Sequence, residues 1–396
     1  MKRLLLFLPV IFFTAPLLAQ SGFKVVGYLP TYRFGNLADM RLERCTHINI
    51  AFANPDMQGN LTTEGISIAP AVTAAKQQGC KVLISLAGGY LTPAWQAAWD
   101  TLLLPANRPA YIQKIVQYVL GNNLDGVDVD LEWQYVTSAY SPFVLELKTA
   151  LAAQNKLMTA ALPGSHRYPQ ITNAALAAFD WVNMMVYDLT GPWDPTHPGP
   201  HSPYNWAVQC IQYWKNQGVA AGRLTLGVPF YGYDFGVSPV SSFKFQSMVA
   251  LDTAYAYLDQ VGQRYYNGIP TIQAKTQLAL DQVSGIMIWE LGQDALSPAV
   301  AAFSLLKAID AVLHPPVATH APLAGTLRLY PNPAADWVQV PAAEQVQVFD
   351  ASGRQVLEQT GSGDALVLDL QDLPAGLYVV LARTGGTLRS GRLVKN

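Results

Sequence analysis

Short runs of β-branched and apolar residues alternate with longer stretches of helical periodicity from about residue 23 to residue 312. The runs at 24–30, 46–53, 81–87, 124–132, 157–162, 181–188, 224–230 and 285–290 read as strands. Between them, segments such as 66–78, 106–120, 142–154 and 204–217 carry apolar residues three and four apart and read as helices. Eight strand-then-helix repeats over this length predict an α/β fold of the (β/α)8 TIM-barrel type. A doubly wound sheet would carry a Gly-rich phosphate turn after its first strand, and Gly27-Tyr28-Leu29-Pro30-Thr31-Tyr32 is no such turn. About fifty residues separate Gly232 from Gly285, and 264–271 within them carries a turn and an extended piece.

The pattern changes after Leu313. Residues 313–326 are rich in Pro, Ala and His and read as an extended linker. From residue 327 to 396 only short period-two segments follow, at 338–340, 346–350, 355–359, 365–370, 377–382 and 388–394. Gly- and Asp-rich turns separate them, which predicts a small all-β sandwich. At the other end, Lys2 and Arg3 precede the apolar run 4–13 and a small-residue stretch ending at Ala19-Gln20. Residues 1–20 therefore read as a signal peptide, with the barrel occupying 21–312. No Cys follows the apolar run, which argues against lipid attachment.

Composition narrows the chemistry. Apolar residues make up 51% of the chain and charged residues 13%, so a large core can be buried. The formal net charge is −2 and no basic block occurs, which argues against a nucleic-acid partner. The six His lack metal-ligand spacing, so neither a metal nor another cofactor is expected, and a monomer is expected. Cys45 and Cys80 each precede an apolar run at what would be the same end of neighbouring strands. They can pair in a disulfide or stay two buried thiols, and the sequence leaves both open.

The most specific stretch is Asp125-Gly-Val-Asp-Val-Asp-Leu-Glu-Trp133. Between Val127 and Leu131 apolar and acidic residues alternate, so Asp128, Asp130 and Glu132 project to one face of a strand. Three carboxyls on one face repel, and at least one tends to keep its proton. A protonated carboxyl beside ionised ones is what acid-catalysed cleavage of a glycosidic bond requires. An EF-hand loop beginning at Asp128 would need Gly and Glu where Trp133 and Ala139 stand.

The pattern Asp-Gly-x-Asp-x-Asp-x-Glu resembles the signature of family 18 glycoside hydrolases, the chitinase family. The resemblance implies that Glu132 is the general acid and base, that Asp130 orients the substrate's acetamido group, and that Asp128 supports Asp130. Ser85-Leu86-Ala87-Gly88 is similar to the family's Ser-x-Gly-Gly element, with Ala87 in place of the first Gly. Met185-Val186-Tyr187-Asp188 resembles its Met-x-Tyr-Asp, which assigns the Tyr187 hydroxyl to the acetamido carbonyl and Asp188 and Met185 to the same sugar subsite. Trp289 matches the Trp that floors that subsite, and Gly227-Val-Pro-Phe-Tyr-Gly232 resembles the seventh-strand motif. Tyr28, Phe52, Trp193 and Tyr231 are further candidates for contact with a sugar. The implied partner is a polysaccharide or oligosaccharide containing N-acetylglucosamine; N-glycan, peptidoglycan and a non-catalytic lectin remain alternatives. Tyr330-Pro331-Asn332-Pro333-Ala334, Leu373-Pro374-Ala375-Gly376-Leu377-Tyr378 and Lys395 resemble the sorting domain of the type IX secretion system. That resemblance implies contact with the secretion machinery and a secreted or outer-membrane-surface location.

Overall fold

The computed structural model describes residues 22–315, 326–350, 354–385 and 387–396. The expected signal peptide and most of the expected linker lie outside them. The chain divides into two compact units between Pro315 and Pro316.

The first unit is a closed parallel barrel. Its strands are β1 (Lys24–Pro30), β2 (His47–Pro55), β3 (Lys81–Gly88), β4 (Gly126–Leu131), β5 (Leu157–Pro163), β6 (Trp181–Met185), β7 (Leu224–Pro229) and β8 (Gly285–Trp289). Each pairs in parallel with its neighbour, and β8 returns to β1. Outward-facing Val, Ile and Leu, such as Ile48, Ile84, Val127 and Val129, pack beneath the helices and are fully buried. The helices are α1 (Ala69–Gln77), α2 (Pro93–Leu102), α3 (Arg108–Gly121), α4 (Tyr140–Ala152), α5 (Asn173–Ala178), α6 (Tyr204–Asn216), α7 (Phe245–Leu251), α8 (Ile269–Gln282) and α9 (Leu305–Leu313). Four of them, α1, α2, α3 and α8, carry Pro in the first turn, where the missing N–H costs nothing. Thr92, Thr172 and Ser304 cap α2, α5 and α9 by accepting from a backbone N–H.

The barrel interior is polar at mid-height, where Ser85, Asp128, Thr159, Asn183 and Thr225 are all fully buried. Lower down it closes. The His47 ring meets Trp181 edge-on at 4.8 Å, and the Lys24 ammonium lies 5.4 Å over the same indole. A side chain entering the interior therefore meets a floor, and the site must open at the other end.

Beyond β7 the chain builds a small wall. Strands Tyr231–Asp234, Ser241–Lys244, Gln260–Val261 and Arg264–Tyr265 form a four-stranded sheet of their own beside α7. The gap between Gly232 and Gly285 thus holds a folded element, and α8 fills the rest of it.

Cys45 and Cys80 are buried free thiols. The Cys80 Sγ donates to the Leu42 and Cys45 carbonyls, each at 3.2 Å, and burial pushes this thiol up to about 11.

The second unit contains β9 (Trp337–Val340), β10 (Gln345–Phe349), β11 (Gln355–Thr360), β12 (Leu366–Asp369), β13 (Gly376–Thr384) and β14 (Thr387–Lys395). β9 pairs with β12, while β11, β10, β13 and β14 form a four-stranded antiparallel sheet in that order. Val338, Val340, Val346, Val348, Leu368, Val380 and Leu393 close its core. Period-two alternation produces this directly, since one face of each strand is apolar.

Candidate active site

The carboxyl ladder on β4 rises from the middle of the barrel to its mouth. Asp128, at the bottom, is fully buried and accepts four hydrogen bonds from four other strands. These come from Tyr28 Oη (2.6 Å), Ser85 Oγ (2.7 Å), Thr159 Oγ1 (2.5 Å) and Asn183 Nδ2 (3.2 Å). Burial raises its carboxyl above the usual range, while the four donors hold it down and favour the anion. Asp130 sits one step higher, 3% exposed, with an Oδ1 that no donor reaches. Burial, then the charges of Glu132 and Asp128, push it well above the ordinary carboxylate range. Glu132 follows the strand end, and burial and then the charge of Asp188 push it up to about 7.

The residues around Glu132 come from the C-terminal ends of other strands, as barrel geometry demands. Gly89 lies so close that a Cβ there would stand 2.7 Å from Glu132 Oε1, so glycine is required for the acid's own space. Trp289 and Phe52 stack at 5.7 Å with their planes 24° apart, and Trp289 also meets Tyr28 at 5.5 Å. Arg33 Nε donates to the buried Glu290 at 2.8 Å, pinning the residue after Trp289. Tyr187 is 9% exposed, and its ring meets Tyr231 edge-on at 6.1 Å. Asp188 accepts from the hydroxyls of Tyr231 and Tyr233, the latter at 3.0 Å.

Tyr28, Phe52, Gly89, Asp130, Glu132, Trp133, Ala161, Met185, Tyr187, Asp188 and Trp289 line a cleft of about 620 Å³. A second hollow of about 470 Å³ continues past Glu132 along Pro163, Gly164, Ser165, His166 and Trp206. Glu132, Trp133, Met185, Tyr187 and Asp188 belong to both. The groove thus extends to either side of Glu132.

Tyr231 and Trp193 are not among the residues that line these two hollows. Tyr231 is 5% exposed and spends its hydroxyl on Asp188 instead of lining the groove. Trp193 is exposed but packs against Gly191 and, at 5.9 Å, Tyr233, outside both hollows. Tyr28 lines the cleft, yet its hydroxyl serves Asp128. The half of the groove beyond Glu132 escaped the sequence reading. Pro163 ends β5 and Gly164 to His166 follow it, so the rule that strand ends build the site would have pointed to them. Among the described residues no group of His, Cys, Asp and Glu stands close enough together to hold a metal ion.

A closed (β/α)8 barrel with a buried carboxyl ladder opening into an aromatic-walled groove that Asp130, Glu132 and Asp188 line defines an acid–base site. Comparison with known proteins identifies the class. Residues 24–294 match the model of glycosyl hydrolases family 18, and the chain belongs to that family. Residues 328–396 match the secretion system C-terminal sorting domain, that of the type IX system. A chitinase of *Flavobacterium johnsoniae* from a chitin utilization locus is 44% identical, covering 74% of this chain and 94% of that one, with a TM-score of 0.71. A chitinase of *Bacteroides thetaiotaomicron* is 27% identical over 74% of this chain and 96% of its own, with a TM-score of 0.65. A chitinase-like effector of *Moniliophthora roreri* is 28% identical over 52% of this chain and 57% of that protein. The chain spans between 11% and 66% of the length of the first curated relatives it matches.

Proposed function

We propose that the chain hydrolyses β-1,4 bonds next to N-acetylglucosamine in chitin or chito-oligosaccharides, with retention of anomeric configuration. One observation carries this reading: Glu132 opens to the groove while Asp130 stands behind it on the same strand face, buried and with an unpartnered oxygen. A retaining glycosidase of the ordinary kind needs a second carboxylate across the sugar, about 5–5.5 Å from the first. Side chains two apart on one strand approach from a single side and cannot supply it. Family 18 is the known exception, in which the substrate's acetamido group serves as nucleophile.

Glu132 gives its proton to the glycosidic oxygen as the C1–O bond breaks. The acetamido carbonyl oxygen bonds to C1, leaving an oxazolinium ion whose N–H is held by Asp130. The Tyr187 hydroxyl donates to the same acetamido group and restrains it, a proximity effect worth several kcal/mol. Glu132, now ionised, takes a proton from the water that reopens the ring and is ready for another cycle. Asp128 keeps its charge throughout on its four donors.

Neither half of the groove is lined by Lys or Arg. This favours a neutral chitin chain over peptidoglycan, whose lactyl and peptide carboxylates would face Asp130, Glu132 and Asp188. The *Flavobacterium johnsoniae* relative, from a chitin utilization locus, supports the same choice. The second unit addresses the protein to type IX machinery, so that it acts in the medium or at the outer-membrane surface. The test is NMR of the first product from chitotetraose, run beside a high-mannose glycopeptide and purified sacculi. The β-anomer should form first, and an oligomer deacetylated at the cleaved unit should be nearly inert. An α-anomer formed first overturns the mechanism; tight binding with no turnover would make the chain a lectin.

A further inference from the structure

The loop after β6 leaves the barrel at Asp188 and ends in two fully buried residues, His201 and Ser202. Each is held by a different part of the fold. Lys275 on α8, itself fully buried, donates to the Ser202 carbonyl and hydroxyl, both at 2.6 Å, and to Asn267 Oδ1 at 2.8 Å. Ser202 Oγ donates in turn to the Val186 carbonyl at 2.5 Å, so the loop's end is tied to its beginning.

His201 is placed between the two ends of that tie. Its Nε2 faces the Tyr231 carbonyl at 3.1 Å. A carbonyl can only accept, so Nε2 carries hydrogen whether the ring is neutral or charged. Nδ1 then bears a proton only in the imidazolium. It has no hydrogen-bond partner, and Asp188 Oδ1 stands 3.5 Å away. A bare Nδ1 would turn a lone pair toward a carboxylate, whereas a protonated one would turn a donor. The other groups facing the ring are Tyr231 and Tyr233, at 4.9 and 5.1 Å, whose hydroxyls both go to Asp188. Lys275, which burial pushes down to about 7, donates to the neighbouring Ser202.

We propose that His201 is a positioning residue for the hydrolysis: as an imidazolium it anchors Asp188 through Nδ1–H, forming a three-donor set with Tyr231 and Tyr233. The proposal rests on the hydrolytic reading above. Asp188 lines both halves of the groove and is the charge that acts on Glu132. Holding it in place fixes one wall of the groove, and partly neutralising it moderates how firmly Glu132 keeps its proton.

Two measurements on the full chain test this. In ¹⁵N NMR of His-labelled protein, His201 Nδ1 should carry a proton directed at Asp188; a bare Nδ1 overturns the proposal. In kinetics on chito-oligosaccharides, His201→Gln keeps a donor for the Tyr231 carbonyl but presents nothing to Asp188. It should lower kcat/KM by roughly ten- to a hundredfold, the size of one charge-assisted hydrogen bond. The basic limb of its pH profile should move upward, because an unneutralised Asp188 makes Glu132 harder to ionise. His201→Asn, whose amide can occupy the Nδ1 position, should retain most activity. Wild-type kcat/KM and pH profile in a folded His201→Gln variant would overturn the proposal. Should the wild type itself fail to turn over, the hydrolytic reading falls, and the NMR result alone judges the His201–Asp188 pairing.

Discussion

In the role proposed for it, Glu132 must hold a proton at its working pH and release it when the leaving oxygen arrives. Burial and the charge of Asp188 provide for this by moving its titration to about 7. Turnover on chito-oligosaccharides should therefore be sustained below that pH and decline above it as the acid ionises. A basic limb centred near the ordinary 4.5 would contradict the environment described. Glu132→Gln keeps the shape and loses the transferable proton, so kcat should fall by about two to four orders of magnitude while oligosaccharide binding persists. The ladder itself was legible in the sequence, because period-two alternation puts Asp128, Asp130 and Glu132 on one face whatever surrounds them. The use made of Tyr231 was not. An aromatic residue just after β7 reads as a sugar platform, and only the turn into the strand Tyr231–Asp234 carries its hydroxyl to Asp188.

Three strand ends around the site depart from ordinary backbone. Ala87, Trp133 and Asp188 have φ values of 77°, 52° and 66°, at or just beyond the ends of β3, β4 and β6. Left-handed backbone at non-glycine residues is costly and gathers at functional sites. Such strain leaves no periodic trace, so a sequence reveals it only where a small residue replaces glycine, as at Ala87. There the Cβ costs roughly 1–2 kcal/mol in the folded state, whereas Ala→Gly elsewhere loses about 0.4–1 kcal/mol by loosening the unfolded chain. Ala87→Gly should accordingly leave stability unchanged or raise it by up to about 1 kcal/mol, as read from the midpoint of urea unfolding. A loss above 1 kcal/mol would mean that the methyl group packs better than the backbone suggests. The barrel strands were readable because their apolar runs are short and their spacing regular. The wall after β7 was only half readable, because strands as short as Gln260–Val261 and Arg264–Tyr265 are too brief to express a period.

At the scale of the molecule, the barrel core and the core of the second unit share no residue. We therefore expect a chain ending at Ala324 to hydrolyse soluble chito-oligosaccharides at the full-length rate. In a host equipped with the type IX system it should accumulate in the periplasm. Normal export of that truncation would remove the sorting role; a defect confined to insoluble chitin would make the second unit a binding module. The buried ladder also has a cost for the barrel as a whole. The folded chain keeps Glu132 protonated to about 7, while an unfolded chain releases that proton near 4.5. Below 4.5 both states hold the proton, and the group contributes nothing. Between the two values the unfolded state sheds its proton first, so stability declines as pH rises, by at most roughly 3 kcal/mol. Glu132→Gln escapes this decline. It should melt above the wild type at pH 8 and together with it at pH 4; equal melting at pH 8 would refute the linkage. On this linkage, the burial proposed to poise the acid would leave the natural protein less heat-resistant at neutral pH than its Glu132→Gln variant.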